Sequence, residues 1–512
     1  MKIIRQGKTA DICFLLEGTF PYVSGGVSSW VNQIIRGFPE LSFAIVFLGS
    51  REQDYGELRY ALPDNVVHLE VHYLHSTQGH LPPTPRKGNR KAFADVQALH
   101  ECYRHTAQQP HEQQALFGNI LQHQASGRLS EEDFLYSRAA WQYITEQYRS
   151  RCTDPSFVDY FWAVRIMHAP LWRLMHLADT LIPARVYHSV STGYAGFLGA
   201  VLKHRTARPL ILSEHGIYTK ERKIDLFQAQ WIRDNRDFLE KDSAEVSYFR
   251  NLWIRFFEAL GRDCYQNADA IIALYEANRL RQVSDGAPSE RTMNIANGIN
   301  LPHLAKLRQQ RTEAIPMVIC LIGRVVPIKD IKTYIRAMRT ISQVLPNVEA
   351  WIAGPEDEDP SYAQDCHHLV ESLGLQHQVK FLGFQKIDDI LPKIGLMVLS
   401  SISEALPLVI LEGYAAGVPC VSTDVGSCRQ LIEGFGDADR ALGASGAVVG
   451  IADPEALAEA IIALLSDPER WQAAQQAGIQ RVENYYTQEL MFHQYRSVYQ
   501  DMLEKSNLLA TD

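Results

Sequence analysis

The residues of this chain that could do chemistry are concentrated in its second half. Glu404 and Glu412 lie in the stretch SISEALPLVILEGYAAGVPCVSTDVG, which begins at Ser401. Pro407 suits the first turn of a helix, where its missing N–H costs nothing, and the apolar residues after it predict that the helix continues to Ala416. We therefore expect Glu404 just before a helix and Glu412 inside it.

The spacing of the two glutamates matches the dimensions of a nucleotide diphosphate. Eight steps at the helical rise cover about 12 Å, which is close to the distance from a sugar diphosphate to the ribose of the same nucleotide. The N–H groups at the helix start would face the diphosphate, and Glu412 could accept hydrogen bonds from both ribose hydroxyls. The alternative is two solvated glutamates on an amphipathic helix. The apolar residues around Glu412 favour a function, because a buried carboxylate without a partner is costly.

Two basic residues precede this stretch at a similar place in the predicted sheet. Arg324 and Lys329 follow the predicted strand from Met317 to Ile322. Their loop should border the same sheet edge as Glu404, so both cations could make charge-assisted contacts with a diphosphate. A surface salt bridge is the alternative.

The first half of the chain begins as a doubly wound α/β domain does. Residues 10–16 and 41–48 predict strands, and a glycine-rich loop with Gly25 and Gly26 precedes a helix between them. The glycine pair is either a tight turn or a place where the backbone closely approaches a ligand.

His215 directly follows the predicted strand 210–213, within Glu214-His215-Gly216. That position lies at the ligand-binding edge of an α/β sheet, although a lone histidine is often structural. Lys220, Glu221 and Arg222 come next and are expected on a solvated, charged loop.

The predicted domains are residues 1–305, 314–480 and a C-terminal helix over 481–512, which could cross back to the first domain. Residues 80–182 exceed what one crossover helix needs and predict a helical insertion. It is either an acceptor or partner surface or a structural elaboration.

Composition excludes several classes of protein. The chain has 512 residues, 46% of them hydrophobic, and a formal net charge of −9, which argues against nucleic-acid binding as its main function. Its eight cysteines form no CxxC pair, so reduced thiols in a cytosolic protein fit best. The N-terminus makes a poor signal peptide, and no stretch predicts a membrane-spanning helix.

The motifs together resemble a known family of enzymes. GRVVPIK, followed about eighty residues later by SEALPLVILEGYAAGVPCVSTDVG, resembles the retaining GT-B glycosyltransferases of family 4. The Gly25-Gly26 loop and ANGIN fit the first domain of that family. DICFLLEGTFPYVSGGVSSWVNQII and SEHGIYTKER are similar, more narrowly, to its PelF branch, the cytosolic transferases of Pel exopolysaccharide synthesis.

The resemblance implies a fold and a set of roles. The fold would be α/β, with two Rossmann-like doubly wound domains facing a central cleft. Arg324 and Lys329 would stabilise the leaving diphosphate, Glu404 would contact the donor sugar or its phosphate, and His215 would lie near that sugar. The implied nucleotide-sugar contacts are Gly25, Gly26, Arg324, Lys329, Glu404, Leu406, Pro407, Leu408 and Glu412. Ala405 and Asp330 depart from the family's pattern, since both stand where it often has glycine.

The implied reaction is sugar transfer from a UDP-sugar to a growing glycan, with retention at the anomeric carbon. No metal or other cofactor is expected, and Asp357 to Asp359 are interpreted as solvated loop residues. The Pel resemblance implies docking to inner-membrane synthase subunits and a polymer that contains N-acetylhexosamine.

Two other enzymes with the same architecture stay open at this point, a sugar-nucleotide epimerase and a phosphorylase. A phosphorylase should have a pyridoxal-phosphate lysine site, and the chain shows no signature of one. A non-catalytic nucleotide-sugar-binding subunit of a membrane synthase is the remaining alternative. The presence of both basic residues and both glutamates argues against it, because a scaffold needs none of them.

Overall fold

The computed structural model describes residues 2–74, 86–104, 110–152, 156–228 and 248–509. The chain divides into two compact units. The first comprises Met1–Ala273, Asn278–Asn294 and Arg496–Asp512, and the second comprises Leu274–Ala277 and Ile295–Tyr495. The last helix therefore contributes residues to both units.

The first unit is built on an eight-stranded sheet in the described part of the chain. Its strands are β1 (Lys2–Arg5), β2 (Ala10–Glu17), β3 (Phe43–Gly49), β4 (Val66–Tyr73), β5 (Ala184–Ser189), β6 (Leu210–Glu214), β7 (Ala270–Ala273) and β8 (Thr292–Asn294). The order across the sheet is β1-β4-β3-β2-β5-β6-β7-β8. β1 pairs antiparallel with β4, and the other neighbours are parallel. Strands buried on both faces explain the uninterrupted apolar runs of β2 and β3.

Helices pack around this sheet, and several of them form a separate group. They are α1 (Gly26–Gly37), α2 (Arg90–Arg104), α3 (Pro110–Ala125), α4 (Glu131–Tyr136), α5 (Arg138–Arg151), α6 (Phe157–Leu177), α7 (Tyr194–Thr206), α8 (Tyr218–Gln228), α9 (Tyr248–Asn267) and α10 (Glu276–Ser284). The helices α2 to α6 all lie between β4 and β5, within the region of the predicted insertion. Ser130, Ser137 and Ser156 cap three of them by accepting backbone N–H groups.

The second unit contains a six-stranded parallel sheet. Its strands are β9 (Val318–Ile322), β10 (Glu349–Ala353), β11 (Val379–Gly383), β12 (Leu396–Leu399), β13 (Cys420–Thr423) and β14 (Gly446–Val449). Their order is β11-β10-β9-β12-β13-β14. The chain moves outward from β9 in one direction and from β12 in the other. The neighbours β9 and β12 therefore form a topological switch point, where open α/β sheets bind ligands at the carboxyl ends of the strands.

The helices of this unit begin at clear sequence features. They are α11 (Leu301–Leu304), α12 (Ile331–Val344), α13 (Pro360–Ser372), α14 (Ile387–Ile390), α15 (Leu408–Ala415), α16 (Cys428–Glu433), α17 (Gly436–Arg440), α18 (Pro454–Leu465), α19 (Pro468–Tyr485) and α20 (Gln488–Leu508). Asp359, Asp453 and Asp467 each cap a helix whose first residue is proline. An aspartate that accepts an N–H, followed by proline with its helical φ, is a favourable start for a helix.

No helix within the described ranges is both long enough and apolar enough to cross a membrane.

A close backbone contact positions the loop after β9. Gly354 follows β10, and a Cβ atom there would lie 1.9 Å from the carbonyl oxygen of Gly323, the residue before Arg324. Only glycine permits this approach. The two loops are also joined by a hydrogen bond from the Val325 N–H to the Pro355 carbonyl at 2.9 Å.

We predict that Gly354→Ala destabilises the second unit by about 1–3 kcal/mol, because the new methyl group must push the two loops apart. Chemical denaturation followed by fluorescence measures the change. Gly450→Ala is the matched control, since its added Cβ would make only ordinary contacts, the nearest at 3.8 Å. Equal stability of the two variants would contradict the prediction.

Candidate active site

An ion pair joins the two loops at the switch point of the second sheet. Lys329 ends a short 3-10 turn after β9, and Glu404 lies in the loop between β12 and α15. The Lys329 Nζ donates to the Glu404 Oε1 at 2.5 Å, and the two side chains are only 17% and 14% exposed. The same carboxylate oxygen accepts a hydrogen bond from the Ser401 hydroxyl at 2.7 Å. The structure therefore brings together two of the residues predicted from sequence.

Hydrogen bonds between the loops hold this pair in place. The Ile402 N–H donates to the Ile328 carbonyl at 2.9 Å, and the Ser400 hydroxyl donates to the Lys329 carbonyl, also at 2.9 Å. The Thr423 hydroxyl, at the end of β13, donates to the Ser401 carbonyl at 2.6 Å. These hydrogen bonds hold the backbone of both loops, the one that carries Lys329 and the one that carries Glu404.

Gly426 closes over the Glu404 loop. It has a φ of 55°, and a Cβ atom there would lie 2.3 Å from the Glu404 carbonyl oxygen. The next residue, Ser427, donates its N–H to the Ala405 carbonyl at 2.9 Å. Both the backbone conformation and the space require glycine at position 426. Ala405 itself does not have a positive φ, so the alanine there fits its backbone.

Asp330, the other departure from the family's pattern, lies in the left-handed region with a φ of 42°. This conformation favours glycine, and aspartate is among the few other residues that adopt it readily. Its carboxylate also caps α12, accepting hydrogen bonds from the N–H of Thr333 at 3.4 Å and from its hydroxyl at 2.6 Å. These hydrogen bonds offset the cost of a left-handed backbone at a residue that is not glycine.

Arg324 has a different partner from the one its position suggests. Its Nη1 donates to both carboxylate oxygens of Glu358 at 2.6 Å, and the Arg324 side chain is 55% exposed. Asp357 and Glu358 are exposed, in agreement with the interpretation of residues 357–359 as solvated, but two of the three residues also have structural partners. Glu358 pairs with Arg324, and Asp359 caps α13 through the N–H of Tyr362 at 3.0 Å.

The helix α15 begins one residue later than the sequence suggests. Pro407 is the residue before the helix, with a φ of −74° and a ψ of 102°, rather than part of its first turn. Leu406 is buried, and Leu408 is the first helical residue. The Ile410 N–H donates to the Pro407 carbonyl at 3.1 Å, so the N–H groups of Leu408 and Val409 are the ones that can receive an anion.

Glu412 lies inside α15, as predicted, and is mostly buried. Burial raises the pKa of its carboxyl to about 7, and the negative charge of Asp388 on α14 contributes to the increase. Asp388 in turn accepts a hydrogen bond from the His303 ring at 3.0 Å. Hydroxyl donors placed against Glu412, such as those of a ribose, would favour its charged form.

The first unit places the predicted glycines and histidine at its own sheet. α1 begins at Gly26, and Gly25 precedes it with an extended φ of 166°; added Cβ atoms at both positions would meet open space. His215 follows β6, is buried, and packs edge-on against Trp30 with the ring centroids 4.7 Å apart. Burial lowers the pKa of His215 to about 4, so its ring is neutral at pH 7.

Sequence reasoning missed a carboxylate beside this histidine. Glu214 accepts hydrogen bonds from the Tyr265 hydroxyl at 2.6 Å and from the Gln282 amide at 3.0 Å. Burial raises its pKa to about 7, although these bonds oppose the increase. Its position at the end of a buried strand was visible in the sequence, but its distant partners were not.

A second carboxylate, Glu17, ends β2 and was also missed. It accepts the Tyr194 N–H at 2.8 Å, at the start of α7, and the Tyr218 hydroxyl at 2.9 Å. Arg222 lies 3.5 Å from Glu17 and donates to the Tyr218 hydroxyl at 2.8 Å. The expectation of a loop over Lys220, Glu221 and Arg222 is wrong, since all three lie on α8. Lys220 and Glu221 are exposed, as expected, whereas Arg222 is tied to the sheet edge.

The described residues contain no group of three or more histidine, cysteine, aspartate or glutamate side chains arranged to hold a metal ion. The expectation that no metal is needed stays a prediction.

Comparison with known proteins finds a family match for each half of the chain. Residues 10–290 match the family described as Domain of unknown function (DUF3492), and residues 305–481 match Glycosyl transferases group 1. Among curated proteins, the N-acetyl-alpha-D-glucosaminyl L-malate synthase of Bacillus anthracis is 32% identical over 136 residues, which are 26% of this chain and 34% of that protein. The lipopolysaccharide core biosynthesis glycosyltransferase LpsE of Rhizobium meliloti is 33% identical over 159 residues, 30% and 42% of the two chains. The chain thus spans less than half the length of these relatives.

Solved structures share the fold over nearly the whole chain. HepE from Anabaena, solved with UDP and glucose, has a TM-score of 0.54 at 17% identity and covers 96% of this chain and 99% of its own. Sucrose-phosphate synthase from Thermosynechococcus elongatus has a TM-score of 0.55 at 16% identity, with 97% and 100% covered. At this identity the likeness establishes the fold.

The fold is GT-B, with two α/β units built on parallel sheets, and the second unit contains a glycosyltransferase group 1 domain. The chain belongs to the DUF3492 family, whose domain covers more than half of it.

We predict that Glu412→Gln stabilises the protein at pH 8 by up to about 3 kcal/mol. The folded-state pKa of about 7 lies above the ordinary value of 4.5. Between these values the folded state holds a proton that the unfolded state has lost, so this carboxyl makes stability fall as pH rises. Glutamine carries no charge at any pH, and the advantage should largely vanish at pH 5.

Unfolding free energies of the wild type and the variant at pH 5 and pH 8 measure this difference. Glu459→Gln, at an exposed position on α18, is the control and should change little at either pH. A Glu412→Gln variant that is less stable than the wild type at pH 8 would contradict the account of this residue.

Proposed function

We propose that this protein is a retaining glycosyltransferase that moves a sugar from a UDP-sugar to a growing exopolysaccharide, specifically the Pel polymer. The donor is a UDP-hexose or a UDP-N-acetylhexosamine. The observation that carries the proposal is the Lys329–Glu404 pair beside the start of α15, at the switch point of the glycosyltransferase group 1 domain. HepE, a protein of the same fold, was solved with UDP and glucose, which supports a nucleotide-sugar donor.

Lys329 supplies fixed positive charge for the diphosphate. The Glu404 carboxylate, 2.5 Å from the Lys329 Nζ, neutralises this charge. A diphosphate carries more charge than one carboxylate and competes for the ammonium group, while the N–H groups of α15 stabilise its other oxygens. Glu404 is then free to accept hydrogen bonds from the donor sugar.

Arg324 adds a second cation when it leaves Glu358. Its guanidinium is half exposed, and an exposed ion pair is worth only about 0–1 kcal/mol, so a bound diphosphate can compete for it. Glu412 binds the two ribose hydroxyls of the nucleotide from within α15.

The chemical step breaks the bond between the anomeric carbon and the β-phosphate oxygen, and UDP leaves with the electron pair. An acceptor hydroxyl forms the new bond to that carbon on the same face, and its proton passes to the departing β-phosphate oxygen. Lys329, Arg324 and the N–H groups of α15 stabilise the charge that develops on UDP, so no metal is required.

The first unit contributes Gly25, Gly26 and His215 to this proposal. The open space around both glycines leaves room for a donor or acceptor to approach the backbone. His215, neutral because it is buried, acts as a hydrogen-bonding group toward the donor sugar rather than as a charge.

The partners proposed are the UDP-sugar, a glycan acceptor and inner-membrane Pel synthase subunits, which would hold the protein at the cytoplasmic side of the membrane. The similarity to the PelF branch in GTFPYVSGGVSSW and SEHGIYTKER supports this part. The similarity to LpsE, named for lipopolysaccharide core biosynthesis, supports a role in polysaccharide synthesis.

We predict that Lys329→Ala lowers turnover about a hundredfold or more, because the lost charge acts mainly on the leaving group. Transfer from radiolabelled UDP-sugars measures turnover, and a melting curve tests the fold. Lys332→Ala is the control. Lys332 lies three residues after Lys329 and pairs with Asp365 at the surface of the second unit. Near-normal turnover in Lys329→Ala would contradict the assignment, and a wild type that binds UDP-sugars without transfer would favour a non-catalytic binding subunit.

We predict that His215→Ala lowers turnover at least about tenfold but leaves the affinity for UDP nearly unchanged, because the nucleotide is bound by the second unit. Calorimetry with UDP, a melting curve and the transfer rate on one preparation separate the possibilities. Loss of UDP binding in proportion to the rate, or a large drop in melting temperature, would show that His215 has a structural role.

A further inference from the structure

A pocket of about 310 Å³ lies among the helices of the first unit, away from the residues discussed above. It is lined by α2, α3, α6 and α9, together with residues of neighbouring segments. The apolar part of its wall includes Val96, Leu99, Phe117, Leu121, Phe134 and Met167. Its volume falls at the lower end of the range of about 300–1,000 Å³ that is usual for small-molecule sites.

Two histidines form an uncharged polar spot on this wall. His100 and His168 have ring centroids 5.4 Å apart. The His100 Nδ1 is hydrogen-bonded to the Tyr143 hydroxyl at 2.7 Å, and the His168 Nδ1 donates to the Val164 carbonyl at 2.7 Å. Burial lowers the pKa of both rings, to about 3 for His100, so both are neutral. They offer hydrogen bonds to a ligand without adding charge to the pocket.

The charged residues that line the pocket are all arginines. They are Arg104 at the end of α2, Arg151 at the end of α5 and Arg255 on α9. Arg104 and Arg151 share one carboxylate, Glu101, at 2.8 Å and 2.6 Å. Arg255 is exposed and has no carboxylate partner among the described residues. Three cations with one carboxylate between them leave net positive charge beside an apolar wall.

We propose that this pocket binds an amphipathic small molecule, with its apolar chain among the helices and a single anionic group at the arginines. Apolar side chains that line a pocket gain most by excluding water, so the bulk of the ligand must be apolar. The arginines select an anion at its end, since guanidinium groups pair well with carboxylate and phosphate. The proposal is independent of sugar transfer and gives the predicted insertion a ligand of its own.

Binding of dodecanoate and of dodecanol, both below their micelle thresholds, tests this inference. Calorimetry should show that dodecanoate binds the full chain, and it should bind about fivefold more tightly than the uncharged alcohol. Dodecanoate should also raise the melting temperature. Absence of binding by both probes, or equal affinity for the acid and the alcohol, would overturn the proposal.

Two variants separate the apolar and charged parts of the site. Leu121→Trp fills the pocket and should abolish the binding of both probes. Arg255→Glu should weaken dodecanoate by about fivefold and leave dodecanol within about twofold, while Arg149→Glu, at an exposed position on α5 outside the pocket, should change neither. A far-UV circular dichroism spectrum and a melting temperature close to those of the wild type show that each variant is folded. Unchanged dodecanoate binding in both Leu121→Trp and Arg255→Glu would place that binding elsewhere and overturn the proposal.

Discussion

The ion pair between Lys329 and Glu404 is the interaction on which the candidate active site depends. The two loops that carry these residues diverge from neighbouring strands, β9 and β12, and their charges meet at 2.5 Å in a mostly buried place. Removing one partner would leave the other charge poorly solvated, which is costly. The same pair keeps a cation ready at the switch point, where the start of α15 already favours an anion.

Contacts within the second unit already hold the two loops of this ion pair in place. Hydrogen bonds from Ser400 and Thr423 fix the backbone on both sides of the pair, and Gly426 closes over Glu404 with no room for a side chain. Under the proposed function, a diphosphate would only have to exchange the partners of Lys329, with little movement of the loops. Fixed charges aimed at a leaving group stabilise a transition state better than charges that must first be organised.

Glu412 lowers the stability of the folded protein at neutral pH, because burial raises the pKa of its carboxyl to about 7. A glutamine or leucine would satisfy the helix at lower cost. Buried carboxylates with such shifted pKa values concentrate at functional sites, which agrees with a ribose contact at this position. The pKa of Glu214 in the first unit is also raised to about 7, but this carboxylate already accepts hydrogen bonds from protein side chains. We therefore interpret Glu214 as a structural residue.

The spacing of apolar residues predicted much of this structure, because it indicates which side chains of each segment are buried. The apolar runs of β2, β9 and β13 and the placement of Glu404 before α15 and Glu412 within it all followed from residue type and spacing. A surface salt bridge at Arg324 was the alternative interpretation, and the structure contains one. Its partner, Glu358, could not be predicted, since the pairing depends on how two loops approach each other after β9 and β10. The helix α8 was missed because its charged residues suggested solvent, whereas Arg222 is held by Tyr218 and by the distant Glu17. The roles of the site residues follow from the resemblance rather than from local patterns.

A crystal structure of the protein with bound UDP tests the central claim most directly. We predict that the Lys329 Nζ leaves Glu404 for an oxygen of the β-phosphate, that the first N–H groups of α15 face the same phosphate, and that Glu412 accepts hydrogen bonds from the ribose. UDP bound elsewhere, or bound here with Lys329 still paired to Glu404 and no phosphate oxygen within hydrogen-bonding distance of it, would contradict the account.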